Sequence, residues 1–151
     1  MQIREGGLDD PRVTALLRMH LDDVRANPTP GGAHVLDVAG LKKPGVAFWT
    51  AWRGEDLLGC AALKEVEPGH GEIKSMRTVP DQVRRGAGSA LMVHILSEAR
   101  ARGYRRLSLE TGATPAFEAA QALYRHFGFT PANPFGEYKP DPLSIFMSRV
   151  I

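Results

Sequence analysis

The stretch that most constrains this chain runs from Val79 to Leu96 and reads VPDQVRRGAGSALMVHIL. A predicted strand comes directly before it and apolar residues at helical spacing follow, so the pattern predicts a strand, a glycine-rich loop and a helix in succession. This arrangement suits the binding of an anion. The first N–H groups of a helix are free, glycine has no Cβ to keep a ligand away from the backbone, and two neighbouring arginines add positive charge. A tight turn has the same local pattern. The loop alone therefore leaves an anion site and a plain turn open.

The segments around this loop predict a mixed α/β (α+β) fold. Toward the N-terminus, a short strand (MQIREG) precedes a helix over Pro11–Ala26, which Asp9 or Asp10 would cap, and a helical turn within VLDVAGLKKPG. Two strands, VAFWTAWR and DLLGCAALKE, are separated by GED, and a turn at PGHG leads into a third strand, EIKSMRTV. These three strands form an antiparallel meander.

The C-terminal half adds a second kind of unit. The helix after the loop ends near Gly103, and the strand RRLSLET follows it, which predicts a βαβ unit from Glu72 to Glu110. A helix then starts with Thr114 as its cap and ends at Gly128, before a closing strand, SIFMSRVI. We expect a mostly antiparallel central sheet flanked by helices, in one domain over residues 1–151.

Composition narrows the class of protein. A chain of 151 residues with 43% hydrophobic and 24% charged residues can build one globular core. Its net charge of +2 is not that of a nucleic-acid binder. The single Cys60 cannot form an internal disulfide, and no leader or membrane-length apolar run is present, which predicts a cytoplasmic protein without a membrane partner. No Cys/His cluster has metal-ligand spacing, so no metal is predicted.

Two motifs together carry a family resemblance. The glycine loop after the strand, followed by the segment Ala120–Phe129 (AQALYRHFGF), is similar to the GNAT superfamily of acetyl-CoA-dependent N-acetyltransferases, and the similarity covers nearly the whole chain. The resemblance implies a GNAT-like fold whose βαβ unit binds coenzyme A, with acetyl-CoA as co-substrate. Val83 stands where the family usually has Gln or Arg. This departure shifts the expected phosphate contact to backbone amides and leaves open which arginine reaches a phosphate.

The resemblance also implies which residues hold the coenzyme. Its pantetheine arm would pair with backbone at the end of the third meander strand, and its pyrophosphate would bind the glycine loop. The residues concerned are Met76, Arg77 and Thr78 in the strand and Arg84, Arg85, Gly86, Ala87, Gly88 and Ser89 in the loop.

Three residues are candidates for the chemistry. A primary amine is protonated at neutral pH, and removing its proton costs about 4–5 kcal/mol, so a positioned base is useful. Strand alternation places Glu72, Lys74, Met76 and Thr78 on one face, which would aim Glu72 at the cofactor; a solvated glutamate beside Lys74 is the alternative. Glu110 would end the neighbouring strand and bind or deprotonate the substrate ammonium. The family resemblance implies that Tyr124 protonates the departing thiolate.

The acceptor side is less determined. His34 and Asp37 lie in a segment that walls the acceptor site in the family, and Glu137 and Tyr138 lie in a proline-rich excursion that could border it. His20 falls on the apolar face of the first helix, as expected of a core or cleft-wall histidine. We expect a small-molecule amine as acceptor. A noncatalytic acyl-CoA-binding module and a protein N-acetyltransferase stay as alternatives, and a homodimer stays open.

Overall fold

The computed structural model describes residues 1–26 and 37–151. Helices and strands follow one another in the predicted order, with one further two-residue strand before the closing strand. The first half contains β1 (Gln2–Glu5), α1 (Pro11–Ala26), α2 (Val38–Leu41), β2 (Val46–Arg53), β3 (Asp56–Glu67) and β4 (His70–Thr78). The second half contains α3 (Ala87–Ala101), β5 (Arg106–Gly112), α4 (Glu118–His126), β6 (Thr130–Pro131) and β7 (Ser144–Val150).

All strands belong to one seven-stranded sheet with the order β1-β2-β3-β4-β5-β7-β6. Neighbouring strands are antiparallel except β4 and β5, which are parallel and joined through α3, so the predicted βαβ unit is confirmed. The ladder between these two strands covers only His70–Glu72 and Arg106–Ser108. Beyond that point β4 and β5 continue without pairing to each other. The centre of the sheet is therefore open on one side of the ladder.

Both faces of the sheet are covered, and each has its own core. One face packs on α3 and α4 through residues such as Leu63, Leu91 and Ile95. The opposite face packs on α1 through residues such as Val13, Leu17 and Ala62. Because both faces of β3 are buried, its sequence LLGCAAL is apolar throughout rather than alternating.

A bulge in β4 changes which side chains share a face. Between Cys60 and Ala62 of β3, the partners in β4 move from Arg77 to Lys74, so β4 carries one extra residue there. Ser75 takes up this residue with a φ of 53°. The prediction that Glu72, Lys74, Met76 and Thr78 lie on one face is wrong for this reason.

The consequences of the bulge are visible in the contacts. Met76 packs on the α3 side of the sheet. Lys74 pairs across to Ala62, a residue of the α1-side core, and Arg77 reaches α1 through an ion pair with Asp23. Side chains from the two ends of β4 therefore reach the opening from different faces.

Several boundaries differ from the predicted ones. The turn predicted at PGHG is shorter, because His70 and Gly71 already belong to β4. Glu110 does not end β5, which continues to Gly112. The helix predicted from Thr114 begins as a separate 3-10 turn. The hydroxyl of Thr114 does not cap it and is buried with no hydrogen-bond partner among residues 1–26 and 37–151.

The start of α1 follows the prediction. The carboxylate of Asp10 accepts a hydrogen bond of 2.9 Å from the backbone N–H of Arg12, which makes Asp10 the cap, whereas Asp9 pairs with Lys42. In the described parts of the chain, the helices are all too short or too polar to cross a lipid bilayer.

Candidate active site

A cleft opens where β4 and β5 part, and it encloses about 100 Å³. Its walls come from α1, both diverging strands, the start of α4 and the segment before β7. We call this space the cleft and define it by its lining residues: His20, Val24, Glu72, Ile73, Lys74, Ser75, Met76, Glu110, Thr111, Gly112, Phe117, Ala120, Tyr124 and Tyr138. Glu72, Glu110 and Tyr124, the three candidates for the chemistry, all line it.

Glu72 is held in a buried network. Its Oε2 accepts a hydrogen bond of 3.1 Å from Lys74 Nζ and one of 2.7 Å from the hydroxyl of Tyr138. Lys74 Nζ also lies 3.2 Å from the Tyr138 oxygen. The side chains of Glu72 and Lys74 are only 6% and 7% exposed. The alternative of a solvated Glu72 is therefore wrong, and its charge is balanced by that of Lys74.

Glu110 has a different environment. It pairs with Phe146 in the β5–β7 ladder, and its Oε1 accepts a hydrogen bond of 3.1 Å from the hydroxyl of Ser144. Burial raises the pKa of this carboxyl, and the nearby Glu72 charge acts in the same direction, while Ser144 and Lys74 oppose the shift. Unlike Glu72, it has no direct ion pair within the described residues. A carboxyl with a raised pKa is better able to take a proton from an amine.

Tyr124 lies on α4 and faces the sheet. It is buried and packs edge-on against the ring of Phe129. Burial raises the pKa of its phenol, and the charge of Glu110 adds to this effect, so the hydroxyl stays protonated at neutral pH. A protonated phenol beside a carboxyl of raised pKa places a proton donor and a proton acceptor in one small space.

The glycine loop ends in the first turn of α3. Gly86 precedes the helix with a φ of 84°, and the first intrahelical bond runs from Ala90 N to Gly86 O. The N–H groups of Ala87, Gly88 and Ser89 come before this bond and have no acceptor among the described residues. A Cβ at Gly88 would lie 3.1 Å from a methyl carbon of Leu123, so a side chain there would require Leu123 to move by a few tenths of an ångström.

The loop fits an anionic group such as a pyrophosphate. Unpaired N–H groups and the positive end of the helix dipole meet at one place. Arg84, which has a φ of 63°, and Arg85 are both exposed beside it. Met76 and Thr78, at the end of β4, are half-buried next to the opening, whereas the guanidinium of Arg77 is already paired with Asp23.

The predicted acceptor-side residues are placed unevenly. Tyr138 lines the cleft. Asp37 caps α2 by accepting a hydrogen bond of 2.8 Å from Gly40 N, and it borders a separate groove between α1 and α2. Glu137 is exposed and is not part of the cleft lining. His34 lies outside the described residues.

Sequence reasoning assigned no site role to Lys74. The signal that could have found it is its position two residues from Glu72 in one strand, which places both side chains on the same face. The third member of the network, Tyr138, is distant in sequence and gives no such signal. Within residues 1–26 and 37–151, no three His, Cys, Asp or Glu side chains are grouped so that they could hold a metal ion.

Comparison with known proteins identifies acetyltransferases. A model of the acetyltransferase (GNAT) family matches residues 14–129. The chain is 44% identical to the uncharacterized N-acetyltransferase YsnE of Bacillus subtilis (strain 168) over 149 residues, which covers 99% of each chain. It is 43% identical over 117 residues to an IAA acetyltransferase of Azospirillum brasilense, covering 77% of this chain and 75% of that one.

Similarity of fold extends further than similarity of sequence. The crystal structure of a GNAT family acetyltransferase from Elizabethkingia anophelis with acetyl-CoA bound has a TM-score of 0.68 to this structure at 17% identity. The alignment covers 99% of this chain and 97% of that one. With the cleft, the glycine loop and the matching family model, the chain belongs to the GNAT acetyltransferase family.

Proposed function

We propose that this protein transfers the acetyl group of acetyl-CoA to a primary amine of a small molecule by direct attack of the amine. The observation that carries the proposal is the meeting of Glu110 and Tyr124 in the cleft where β4 and β5 part. Family membership and the acetyl-CoA bound to a protein of the same fold support the choice of donor.

The glycine loop and β4 would hold the donor. The N–H groups of Ala87, Gly88 and Ser89 would bind the pyrophosphate, with Arg84 and Arg85 adding charge. Backbone groups of Met76–Thr78 face the gap that β5 leaves unpaired, and they are available to an extended ligand. Acetyl-CoA supplies an acetyl thioester, which is the electrophile of the reaction.

Glu110 is the proposed base. An ordinary primary ammonium has a pKa of about 10.4, so its deprotonation at neutral pH costs about 4–5 kcal/mol. Because the pKa of Glu110 is raised, its carboxylate binds the proton more strongly than an exposed glutamate would. Glu72 is less suited, since its Oε2 is occupied by Lys74 and Tyr138 and its charge is balanced. Glu72 would instead hold the acceptor side of the cleft in shape.

Tyr124 is the proposed acid. Its raised pKa keeps the proton on the phenol at neutral pH, so the hydroxyl is available to donate to the sulfur as negative charge develops on the departing thiolate. Cys60 cannot act as a nucleophile that carries the acetyl group, because it is fully buried and its pKa is raised by burial to about 12.

The size of the cleft favours a slender amine. Its volume is only about 100 Å³. An amine on a short unbranched arm suits such a space, and the bulk of the acceptor would remain outside.

Release of free thiol from acetyl-CoA tests the proposal. The assay is run with single amino acids, polyamines, aminoglycosides and a lysine-containing peptide as acceptors. We expect at least one small amine to stimulate thiol release and to appear as its N-acetyl product by mass spectrometry. Tight coenzyme binding without release for any amine would favour a binding module. Release with the peptide alone would favour a protein acetyltransferase.

Two variants test whether Glu110 is the base. Glu110→Gln should lower kcat by about 10²- to 10⁴-fold, the usual contribution of a general base. The matched control is Glu118→Gln, at an exposed position on α4, which should leave kcat unchanged. Equal kcat values for both variants would remove Glu110 as the base.

A further inference from the structure

His20 is a wall residue of the cleft whose role is open. It lies in the last part of α1 and lines the same small space as Glu110 and Tyr124. The first helix thus contributes a ring with two nitrogens to a site otherwise built from the sheet and α4. Its place on the apolar face of α1 predicts a core or cleft-wall histidine, and the structure confirms that it lines the wall.

One ring nitrogen of His20 lacks a partner. Its Nδ1 is buried and makes no hydrogen bond to any described residue. Most buried polar atoms in folded proteins are hydrogen-bonded, and leaving one unpaired costs about 1–3 kcal/mol. An unpaired nitrogen in the wall of a substrate cleft points to a partner that arrives with the substrate.

The nearby donors of the chain are already engaged. Arg77 lies close enough for its charge to lower the pKa of His20, but its guanidinium is paired with the carboxylate of Asp23 at an N···O distance of 2.5 Å. Lys74, which lines the same cleft, donates to Glu72 and to Tyr138. These interactions leave the two cations oriented toward other acceptors rather than toward the imidazole.

The imidazole is uncharged at neutral pH. Burial lowers the pKa of His20 to about 4, and the positive charge of Arg77 acts in the same direction, whereas Asp23 opposes the shift. The other titratable groups in the cleft wall are Glu72, Lys74, Glu110, Tyr124 and Tyr138. A neutral imidazole with its proton on Nε2 presents Nδ1 as a hydrogen-bond acceptor.

We propose that His20 contacts the substrate, with its Nδ1 accepting a hydrogen bond from an N–H of the acceptor amine in the cleft. The inference deepens the proposed function and rests on it. It makes α1 part of the acceptor site and gives the amine a second acceptor besides Glu110. The ligand chemistry required is a nitrogen that can donate hydrogen bonds in more than one direction, as a primary ammonium does.

Three variants test the contact by kinetics. His20→Phe keeps an aromatic ring but removes the nitrogen, whereas His20→Asn retains a hydrogen-bonding group near the position of Nδ1. His126→Phe, at an exposed position at the end of α4, is the matched control. A hydrogen bond to a charged donor contributes enough that we expect KM for the amine to rise about 10- to 100-fold in His20→Phe.

The other variants should separate contact from structure. We expect KM for acetyl-CoA to stay unchanged in all three, and His20→Asn to recover much of the amine affinity. Replacing an unpaired buried nitrogen by apolar ring atoms should leave the melting temperature of His20→Phe equal or higher. A twofold or smaller change in amine KM, or equal losses in the Phe and Asn variants, would overturn the proposal.

A titration without turnover keeps this test apart from that of the proposed function. Protein labelled with ¹⁵N-histidine is titrated with methylammonium chloride in the absence of acetyl-CoA, and sodium chloride at the same concentration is the control. We expect the Nδ1 resonance of His20 to move upfield with methylammonium only. An unmoved resonance would refute the contact. If no amine stimulates thiol release, the proposed function fails while this titration still decides the role of His20.

Discussion

The buried pair of Glu72 and Lys74 supports a sharp prediction for Lys74→Met. The substitution keeps the length and apolar stem of the side chain but removes its charge. Glu72 would then be a carboxylate with a side chain only 6% exposed, a single hydroxyl partner in Tyr138 and no countercharge at 3.1 Å. Breaking a buried ion pair by removing one partner destabilises a protein by about 3–5 kcal/mol.

This loss is large compared with the stability of a domain. Domains unfold with about 5–15 kcal/mol, so Lys74→Met should have a clearly lower free energy of unfolding. For a chain of this size, the melting temperature should fall by about 6–20 °C. The double variant Glu72→Gln/Lys74→Met removes both charges, and we expect it to be far less destabilised than the sum of the single variants.

A double-mutant cycle measures the coupling free energy between Glu72 and Lys74. Urea unfolding is followed for the wild type, Glu72→Gln, Lys74→Met and the double variant. The exposed pair of Lys42 and Asp9, at 2.7 Å, is the matched control, and its cycle should give a coupling of about 1 kcal/mol or less. A coupling for Glu72 and Lys74 as small as that of the surface pair would refute the argument that burial makes this pair essential.

Three further predictions concern the titrating groups. Tyr124→Phe should lower kcat by about 10²- to 10⁴-fold with little change in coenzyme affinity by calorimetry, whereas Tyr104→Phe, outside the cleft, should not; an unchanged kcat would remove Tyr124 as the acid. Because the folded state raises the pKa of Glu110 from 4.5, the wild type loses stability as pH rises through the interval above that value. Glu110→Gln should therefore gain free energy of unfolding relative to the wild type as the pH rises above 4.5, and a constant difference would contradict the raised pKa. Cys60, buried and with a pKa raised to about 12, should resist iodoacetamide in the folded protein and react after unfolding in urea, so rapid labelling of the native chain would show that it is accessible.

Local patterns in the sequence were enough to predict most of the fold. Apolar alternation and helical spacing depend on neighbours a few residues apart, so the order of strands and helices and the βαβ unit follow from them. Asp10 caps α1 for the same local reason. The glycine loop and Tyr124 are likewise sequence signals, and the structure places Tyr124 and Glu110 in one cleft.

Interactions between distant residues escaped prediction. Thr114 has the sequence of a helix cap, yet the chain enters α4 through a 3-10 turn, and the buried hydroxyl of Thr114 has no hydrogen-bond partner among the described residues. The bulge at Ser75 comes from how β4 registers against β3, and a one-residue shift moves every later side chain to the other face. For this reason the predicted alignment of Glu72 with Met76 was wrong.

The sequence by itself therefore determined the elements, their order and the loop suited to an anion, because those depend on local backbone preferences and hydrophobic periodicity. The tertiary structure alone decided how the cleft is charged. It brings the hydroxyl of Tyr138 to Glu72 across 66 residues, balances Glu72 with a buried Lys74 and leaves Glu110 without an ion pair in the described chain. Burial and electrostatic balance depend on which surfaces meet in three dimensions, and no local pattern contains that information.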